Sequence, residues 1–202
     1  MQFTLSHSGQ TGVQTTTVYP NQVIITDEIS LQTVVQYDHV AGLFLNNTRS
    51  NTNFIQSDVL VMDIDNDHSE NPYEWITVER LKEIFADYNF ALVTSRSHLK
   101  AKGGKVPRPK FHIYFQIEEV ADKDIYVAMK EELCNQYKFF DDNAKDAARF
   151  FFGNPQAEVV WHDSWLTIDE DLFQAVSIDD DEDFDADFYT PPNGPIQQGS
   201  RN

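Results

Sequence analysis

The chain has 202 residues, of which 41% are hydrophobic and 13% aromatic, and it contains one cysteine, Cys134. This composition predicts one globular domain with a sizeable core, and it excludes a disulfide framework and a zinc site built from cysteine pairs. The net charge of −18 argues against a surface that grips duplex DNA indiscriminately, and without a long apolar run or a signal-like amino terminus we expect a soluble cytoplasmic protein with no membrane contact.

The amino-terminal part of the chain predicts a small unit of mixed secondary structure. Residues 1–22 are rich in Gln, Thr, Ser and Gly with weak apolar alternation, which indicates an edge strand or an ordered arm. Asp27 or Ser30 can cap a helix over about 31–39. A short apolar segment and a polar loop follow, and the loop carries Arg49 just ahead of the next strand.

That next strand ends in a pair of acids. The run from Asp58 to Asp67 begins as a continuous apolar segment rich in β-branched residues and ends abruptly in carboxylates, which predicts a strand buried on both faces. Because side chains two apart on a strand point the same way, Asp63 and Asp65 project side by side from its carboxyl end. Two carboxylates held so close repel each other unless a cation or a proton lies between them, which favours a site for divalent metal.

Two other interpretations of these acids stay open. With Asp67, and with Glu74 at the twelfth position, the spacing resembles an EF-hand calcium loop. However, His68 stands where that loop needs glycine, and a strand rather than a helix leads into it. Asp and Asn are also common in turns, so the acids could be solvated strand-end residues that hold no metal.

The rest of the chain mixes helices and strands without a strict βα repeat, which predicts the α+β class. The elements expected in order are a helix over 77–88, strands over 90–94 and 111–117, a helix over 122–138, a strand over 157–161 and a short helix over 168–175. From Asp179 the chain is acidic and then rich in Pro, Gly and Gln. This composition predicts a flexible tail or linker over 177–202, after one domain over 1–176.

A cationic stretch interrupts this acidic chain. Residues 95–112 carry six of its fifteen basic residues and no acid. The six are Arg96, Lys100, Lys102, Lys105, Arg108 and Lys110. Such a patch predicts a focused site for polyphosphate or for a nucleic-acid strand, and a solvated loop is the plainer alternative.

One histidine is a candidate member of the same site. In the strand over 111–117 the apolar side chains face one way, so His112 faces the other way. If this strand neighbours the strand that carries Asp63, His112 can open onto the surface that displays the two acids. A hydrogen-bonded surface histidine is the alternative.

A third carboxylate and an arginine follow later in the chain. Asp141 comes after an apolar pair, with Asp142 and Asp146 as rivals for the same role. Arg149 lies in an apolar run, where its charge requires either an internal carboxylate or a bound phosphate as partner. A ligand set rich in oxygen and free of thiolates suits Mg²⁺ or Mn²⁺, and two such ions can clamp both oxygens of a phosphoryl transfer.

The order and spacing of these residues resemble the archaeo-eukaryotic primase superfamily, in particular the primase-polymerase domains of phages, plasmids and other mobile elements. The likeness spans about residues 40–155. It rests on the sequences Asp63-Ile64-Asp65, Thr94–His98 with Pro107–Phe115, Phe140-Asp141 and Asp146–Gly153. The second motif departs from the family pattern, because Lys110 and Phe111 stand where a small residue usually precedes the histidine. His98, further upstream, is the alternative to His112.

The resemblance implies an RRM-like α+β catalytic module, with a mixed or antiparallel sheet, packed with a smaller amino-terminal α/β unit. It implies that Asp63, Asp65 and Asp141 bind two Mg²⁺ or Mn²⁺ ions and that His112 contacts the phosphates of the incoming nucleotide. Contacts to nucleotide or template would come from Arg149, Arg96, Ser95, His98, Lys110 and Arg49.

The function implied is template-directed nucleotidyl transfer in DNA replication, by a DNA primase, a DNA polymerase or both. The expected partners are a single-stranded DNA template or primer-template, NTPs or dNTPs, and a replicative helicase domain or protein. A metal-dependent nuclease could use the same acids and histidine. A non-catalytic module that binds nucleotide or single-stranded nucleic acid is the other alternative.

Overall fold

Nine strands, three α-helices and three short 3-10 helices build the part of the chain that the computed structural model describes, which is residues 1–101, 104 and 106–169. The strands are β1 (Phe3–His7), β2 (Asn21–Ile25), β3 (His39–Val40), β4 (Leu43–Phe44), β5 (Phe54–Ile64), β6 (Phe90–Thr94), β7 (Phe111–Val120), β8 (Phe150–Phe151) and β9 (Val159–His162). The helices are α1 (Glu28–Val35), α2 (Val78–Ile84) and α3 (Lys123–Gln136).

The strands form two sheets. One has four strands in the order β2-β1-β3-β8, and the other has five in the order β4-β5-β7-β6-β9. All pairings between these strands are antiparallel. The predicted α+β class is therefore confirmed as two antiparallel sheets with few helices, while the RRM-like detail stays a prediction.

The smaller sheet corrects two expectations about the amino terminus. Strand β1 lies inside the sheet rather than at its edge, because β2, which the sequence did not suggest, pairs along its outer side. Strand β8 adds a fourth strand from far along the chain, where Phe151 pairs with His39 and stacks on its ring. The small unit therefore combines amino-terminal residues with a later segment. The sequence did not predict this combination, because a long-range pairing leaves no local pattern in the sequence.

The larger sheet is covered on both faces, as the apolar run of β5 predicted. Leu60, Met62 and Ile64 pack in a core with residues of α2 and α3. Val59 and Val61, which alternate with them, pack in a second core against β1, β2 and α1. The face of β7 that carries His112 therefore packs against this second core. In a sheet with only one covered face, the same face would be open to solvent.

Helices α2 and α3 form within their predicted ranges and are shorter than the apolar spacing suggested. The helix predicted over about 31–39 instead runs from Glu28 to Val35, and His39 belongs to β3. Asp27 and Ser30 share a capping box at the start of α1, and the Thr77 side chain caps α2 by accepting from the Arg80 backbone. Helix α2 ends at Ile84 because Phe85, with φ −110° and ψ 31°, has left the helical region. Among the helices of the described residues, none has the length and apolar character needed to cross a bilayer.

The carboxyl-terminal predictions fall mostly beyond these residues. Strand β9 corresponds to the strand expected over 157–161. The short helix expected over 168–175 lies outside the described residues except for its first two positions. The tail expected over 177–202 lies wholly outside them.

Candidate active site

A cavity of about 560 Å³ opens between the carboxyl end of β5 and the smaller sheet. Its walls come from five separate parts of the chain, so no single motif forms it. The lining residues are Gln14, Asp63, Asp65, Ser95, Arg96, Ser97, Lys100, Ala101, His112, Arg149 and Phe150–Phe152. Six of the ten residues proposed from the sequence for the site therefore line one cavity: Asp63, Asp65, His112, Arg149, Arg96 and Ser95.

The alternation of β5 explains why Asp63 faces this cavity. It follows Val59 and Val61 on the face that packs against the smaller sheet. In the antiparallel pairing of β5 with β7, Asp63 lies directly opposite His112. Nε2 of His112 lies 3.2 Å from Oδ1 of Asp63, so the two strands are neighbours as the sequence argument required.

Arg149 completes the surroundings of Asp63. Its Nη2 donates to Oδ2 of Asp63 at 2.8 Å. The Asp63 side chain is 9% exposed and that of Arg149 is 36% exposed. Of the two partners that the sequence allowed for Arg149, an internal carboxylate or a phosphate, the folded chain supplies the carboxylate.

Asp65 has its own cationic partner. Its Oδ2 lies 3.1 Å from Nζ of Lys110, whose side chain is only 10% exposed. Directly after Asp65 the chain turns at Asn66, which has a φ of 53° and tolerates this left-handed conformation better than most residues. The Asn66 amide bonds to both backbone groups of Ile76 and to the Pro109 carbonyl, which holds this end of β5 in place.

Burial sets the protonation state of His112. Desolvation lowers its pKa below the ordinary value, although Asp63 and Asp65 act in the opposite direction. The imidazole is therefore neutral at physiological pH. Tyr114, two residues further on the same strand, has its pKa raised well above the ordinary value, mainly by burial.

Asp141 lies next to Asp63 through its backbone rather than its carboxylate. Its N–H donates to the carbonyl oxygen of Asp63 at 2.9 Å, but its Oδ1 accepts from the backbone and side chain of Asn143. Asp141 is not among the described residues that line the cavity. Its rival Asp142 is exposed and pairs with Lys145 at 2.9 Å. The role of Asp141 as a third metal ligand stays a prediction.

The cationic stretch divides into two groups. Arg96 and Lys100 line the cavity. The Arg96 guanidinium stacks on the Phe152 ring at 4.2 Å, and Nζ of Lys100 donates to the Arg96 carbonyl. Arg108 is instead buried and bonds to Asp67 and Glu70 at 3.2 and 2.8 Å. Lys102 and Lys105 lie outside the described residues.

Two of the remaining predicted contacts lie beside the cavity. His98 accepts from the Lys110 backbone through Nδ1 at 3.2 Å and packs on the Phe111 ring. Nη1 of Arg49 donates to the Ala148 carbonyl at 2.9 Å, and the Arg49 guanidinium lies 4.8 Å from the centre of the Phe150 ring. Neither His98 nor Arg49 is among the described residues that line the cavity, so their contacts to nucleotide or template stay predictions.

No pattern in the sequence predicted the amino-terminal wall of the cavity. Gln14 lies there, in a segment held by the buried carboxylate of Asp38. That carboxylate accepts from the backbone N–H groups of Gly12, Val13 and Gly153 at 2.7 to 2.8 Å. An isolated aspartate between two aromatic residues gives no local signal of this role.

The carboxylates that face the cavity fit Mg²⁺ or Mn²⁺ by donor chemistry, since both ions prefer oxygen ligands. Asp63 and Asp65 would hold such an ion. In this structure Asp63 is paired with Arg149 and Asp65 with Lys110. Over residues 1–101, 104 and 106–169, no group of three or more His, Cys, Asp or Glu side chains is arranged to hold a metal ion.

Comparison with known proteins gives one structural likeness. No family model matches the chain, and no curated protein is detectably similar to it. A solved structure of the AEP domain of the primase-polymerase (PrimPol) of cyanophage S-2L is similar, with 11% sequence identity and a TM-score of 0.46. The similarity covers 86% of this chain and 87% of that one. At this level of similarity, function is inferred from the chemistry of the cavity.

Proposed function

We propose that this chain performs template-directed nucleotidyl transfer, as a DNA primase, a DNA polymerase or both, with two Mg²⁺ or Mn²⁺ ions. One observation carries the proposal. Asp63 and Asp65, at the end of an internal strand, face a cavity that also presents His112 and Arg149. Paired carboxylates beside basic side chains are the groups that metal-assisted phosphoryl transfer requires.

The charges of the cavity suit a phosphate-bearing ligand. Two carboxylates, Asp63 and Asp65, face three cations, Arg96, Lys100 and Arg149, so the lining has a net charge of about +1 with His112 neutral. In a protein with a net charge of −18, this cavity is a local positive site. It therefore favours polyphosphate over a neutral or cationic ligand.

The residues of the cavity divide the work of the reaction. Asp63 and Asp65 would hold the divalent metal, which when bound would lower the pKa of the attacking hydroxyl and offset charge on the leaving pyrophosphate. Arg149, Arg96 and Lys100 bind the phosphates as cationic donors. The neutral His112 has a single N–H, which either orients Asp63 from Nε2 or donates to a phosphate oxygen.

The substrates that follow are a single-stranded DNA template or primer-template and nucleoside triphosphates. The single strand would approach across the open side of the cavity, past the exposed Arg96 and Lys100. A replicative helicase remains the expected partner protein.

Incorporation of labelled nucleotide tests the proposal. The wild-type chain is incubated with a single-stranded template, ribo- or deoxynucleotides, and Mg²⁺ or Mn²⁺, and the products are sized. We expect Asp63→Asn and Asp65→Asn each to lower incorporation by about 100-fold or more, because a neutral amide oxygen holds a divalent cation much more weakly than a charged carboxylate does. Asp87→Asn, exposed at the far end of β6, is the control. The proposal is wrong if the wild type makes no product or if both variants keep the wild-type yield.

A second candidate is a non-catalytic module that binds nucleotide or single strands. The observation that favours it is the pairing of both carboxylates with cations of the chain itself. Such a module would bind labelled nucleotide in a salt-dependent way and incorporate none of it. The same assay also separates a nuclease, which would shorten the template with no nucleotide present.

A further inference from the structure

The two carboxylates of the cavity are already balanced by charges of the protein. Oδ2 of Asp63 lies 2.8 Å from Nη2 of Arg149, and Oδ2 of Asp65 lies 3.1 Å from Nζ of Lys110. Two negative charges thus meet two positive charges, and the repulsion expected between neighbouring carboxylates is relieved without metal.

Lys110 is the more firmly placed of these two cations. Its side chain is 10% exposed, compared with 36% for Arg149, and a second carboxylate, Asp67, lies 4.0 Å from its Nζ. A lysine head group that leaves Asp65 loses a partner in a site where water reaches it poorly, which is costly. A divalent cation that approaches Asp65 without a polyphosphate therefore competes with the ammonium group of Lys110, which is held beside the same carboxylate.

A polyphosphate changes this balance. Its negative charges give Arg149, Arg96 and Lys100 new partners inside the same cavity, so a cation can reach the carboxylates while the total charge stays near neutral. The polyphosphate offsets the repulsion between the metal ion and the cations of the cavity, and the metal ion offsets the repulsion between the polyphosphate and the two carboxylates. Their binding is therefore expected to be strongly coupled, and the coupling is reciprocal.

We propose that Lys110 keeps free divalent cation away from Asp65, so that a cation binds in the cavity only when a polyphosphate is bound there as well. The proposal rests on the proposed function for the identity of the ligands. It adds a role for Lys110 as the residue that keeps the affinity for free metal low.

Retention of Mn²⁺ by the protein during ultrafiltration tests the coupling, with tripolyphosphate as the second ligand. Tripolyphosphate carries no base or sugar, so it probes the phosphate requirement alone. For the wild type we expect Mn²⁺ without tripolyphosphate to bind at least about tenfold more weakly than with it, a typical size for coupling between two ligands. Equal affinity for Mn²⁺ with and without tripolyphosphate contradicts the proposal.

Variants of Lys110 test its role. Lys110→Met keeps the apolar stem and removes the charge. We expect free Mn²⁺ to bind this variant about tenfold more tightly, because the ion no longer competes with a partly buried positive charge beside Asp65. Lys100→Met is the matched control, because Lys100 lines the same cavity and, among the described residues, forms no ion pair with a carboxylate. We expect it to change the affinity for free Mn²⁺ by less than about twofold. Lys110→Arg keeps the charge and should bind free Mn²⁺ as weakly as the wild type.

Two further variants keep the result interpretable. Asp65→Asn added to Lys110→Met should abolish the gain in Mn²⁺ affinity, which locates the metal at Asp65. Lys110→Gln is a second neutral variant if Lys110→Met fails to fold by circular dichroism. The role of Lys110 is refuted if folded neutral variants bind free Mn²⁺ no more tightly than Lys100→Met.

The two proposals fail in different ways. Coupled binding of Mn²⁺ and tripolyphosphate with no nucleotide incorporation would leave the role of Lys110 standing and overturn the catalytic function. Incorporation by a wild type that binds free Mn²⁺ tightly would leave the catalytic function standing and overturn the role of Lys110.

Discussion

At the scale of single residues, the burial of Lys130 affects the stability of the protein. Lys130 lies on α3 with 1% of its surface exposed, and burial lowers its pKa to about 8 although Asp63 and Asp146 act to raise it. Its Nζ lies 5.8 Å from the centre of the Tyr126 ring. A protonated lysine at this position is therefore a cost to folding at neutral pH.

Replacement of Lys130 by methionine should raise the stability of the protein. The pKa falls from 10.5 in the unfolded chain to about 8 in the folded one, which corresponds to about 3 kcal/mol at neutral pH. Because the unfolded state binds more protons between these values, wild-type stability rises as the pH goes from about 8 to 10.5, and the advantage of Lys130→Met shrinks over that window.

Urea unfolding at several pH values checks this prediction. Lys82→Met, at an exposed position of α2, is the control and should change the free energy of unfolding little at any pH. A constant difference between wild type and Lys130→Met from neutral to alkaline pH would show that the charge of Lys130 is not the cause.

At the scale of elements, a close backbone approach positions the wall that carries Phe150–Phe152. Gly153, just after β8, lies against the chain that follows α1. A Cβ at Gly153 would lie 2.4 Å from the carbonyl oxygen of Gln36 and 2.5 Å from the carbonyl carbon of Tyr37. Both neighbours are backbone atoms, so they cannot move aside by a change of rotamer. The N–H of Gly153 also donates to the buried Asp38.

Gly153→Ala should therefore destabilise the fold by about 2 to 3 kcal/mol, the range for overpacking a rigid site. Gly42→Ala is a matched comparison, because its Cβ would meet side-chain atoms of Phe54 and Phe44 rather than backbone, and we expect a smaller loss. The measurement is the free energy of unfolding in urea. Equal losses for the two variants would contradict the argument from backbone contact.

At the scale of the whole molecule, a buried polar contact links the two sheets through the core between them. Nε2 of His39, on β3, lies 2.7 Å from the hydroxyl oxygen of Tyr114, on β7. Nδ1 of His39 lies 2.8 Å from the Tyr37 carbonyl, so both ring nitrogens have partners. Burial lowers the pKa of His39 to about 4, and a charged imidazole would have to be accommodated between two apolar layers.

The protein should lose stability in mild acid for this reason. The unfolded chain takes up a proton at His39 near pH 6.5 but the folded one only near pH 4, so stability is full above 6.5 and falls as the pH drops towards 4. The loss from His39 is about 3 kcal/mol. His7 and His112, whose pKa values are also lowered by burial, add to it in the same direction.

Thermal or urea unfolding of wild type and His39→Phe between neutral pH and pH 4 checks this prediction. The variant should be less stable at neutral pH, since it loses the link to Tyr114, but its stability should fall less steeply with acid. If the two proteins show the same pH slope, the titration of His39 does not contribute.

Much of the local structure could be predicted from the sequence, because local physics decides it. The apolar run of β5 predicted a strand buried on both faces, and its period of two placed Asp63 and Asp65 on one side. The same period placed His112 on the face opposite the apolar side chains of β7. Helix positions followed from apolar spacing and from capping residues such as Thr77.

The tertiary structure alone decided the partners of these residues. It paired Arg149 with Asp63 and Lys110 with Asp65, and it brought Gln14 to the cavity. These contacts join segments far apart in the chain, and no periodicity or capping signal encodes which distant charge a side chain will meet. Sequence could therefore predict that the acids need a cation nearby, and only the packing of the two sheets determined that cations of the protein itself lie beside them.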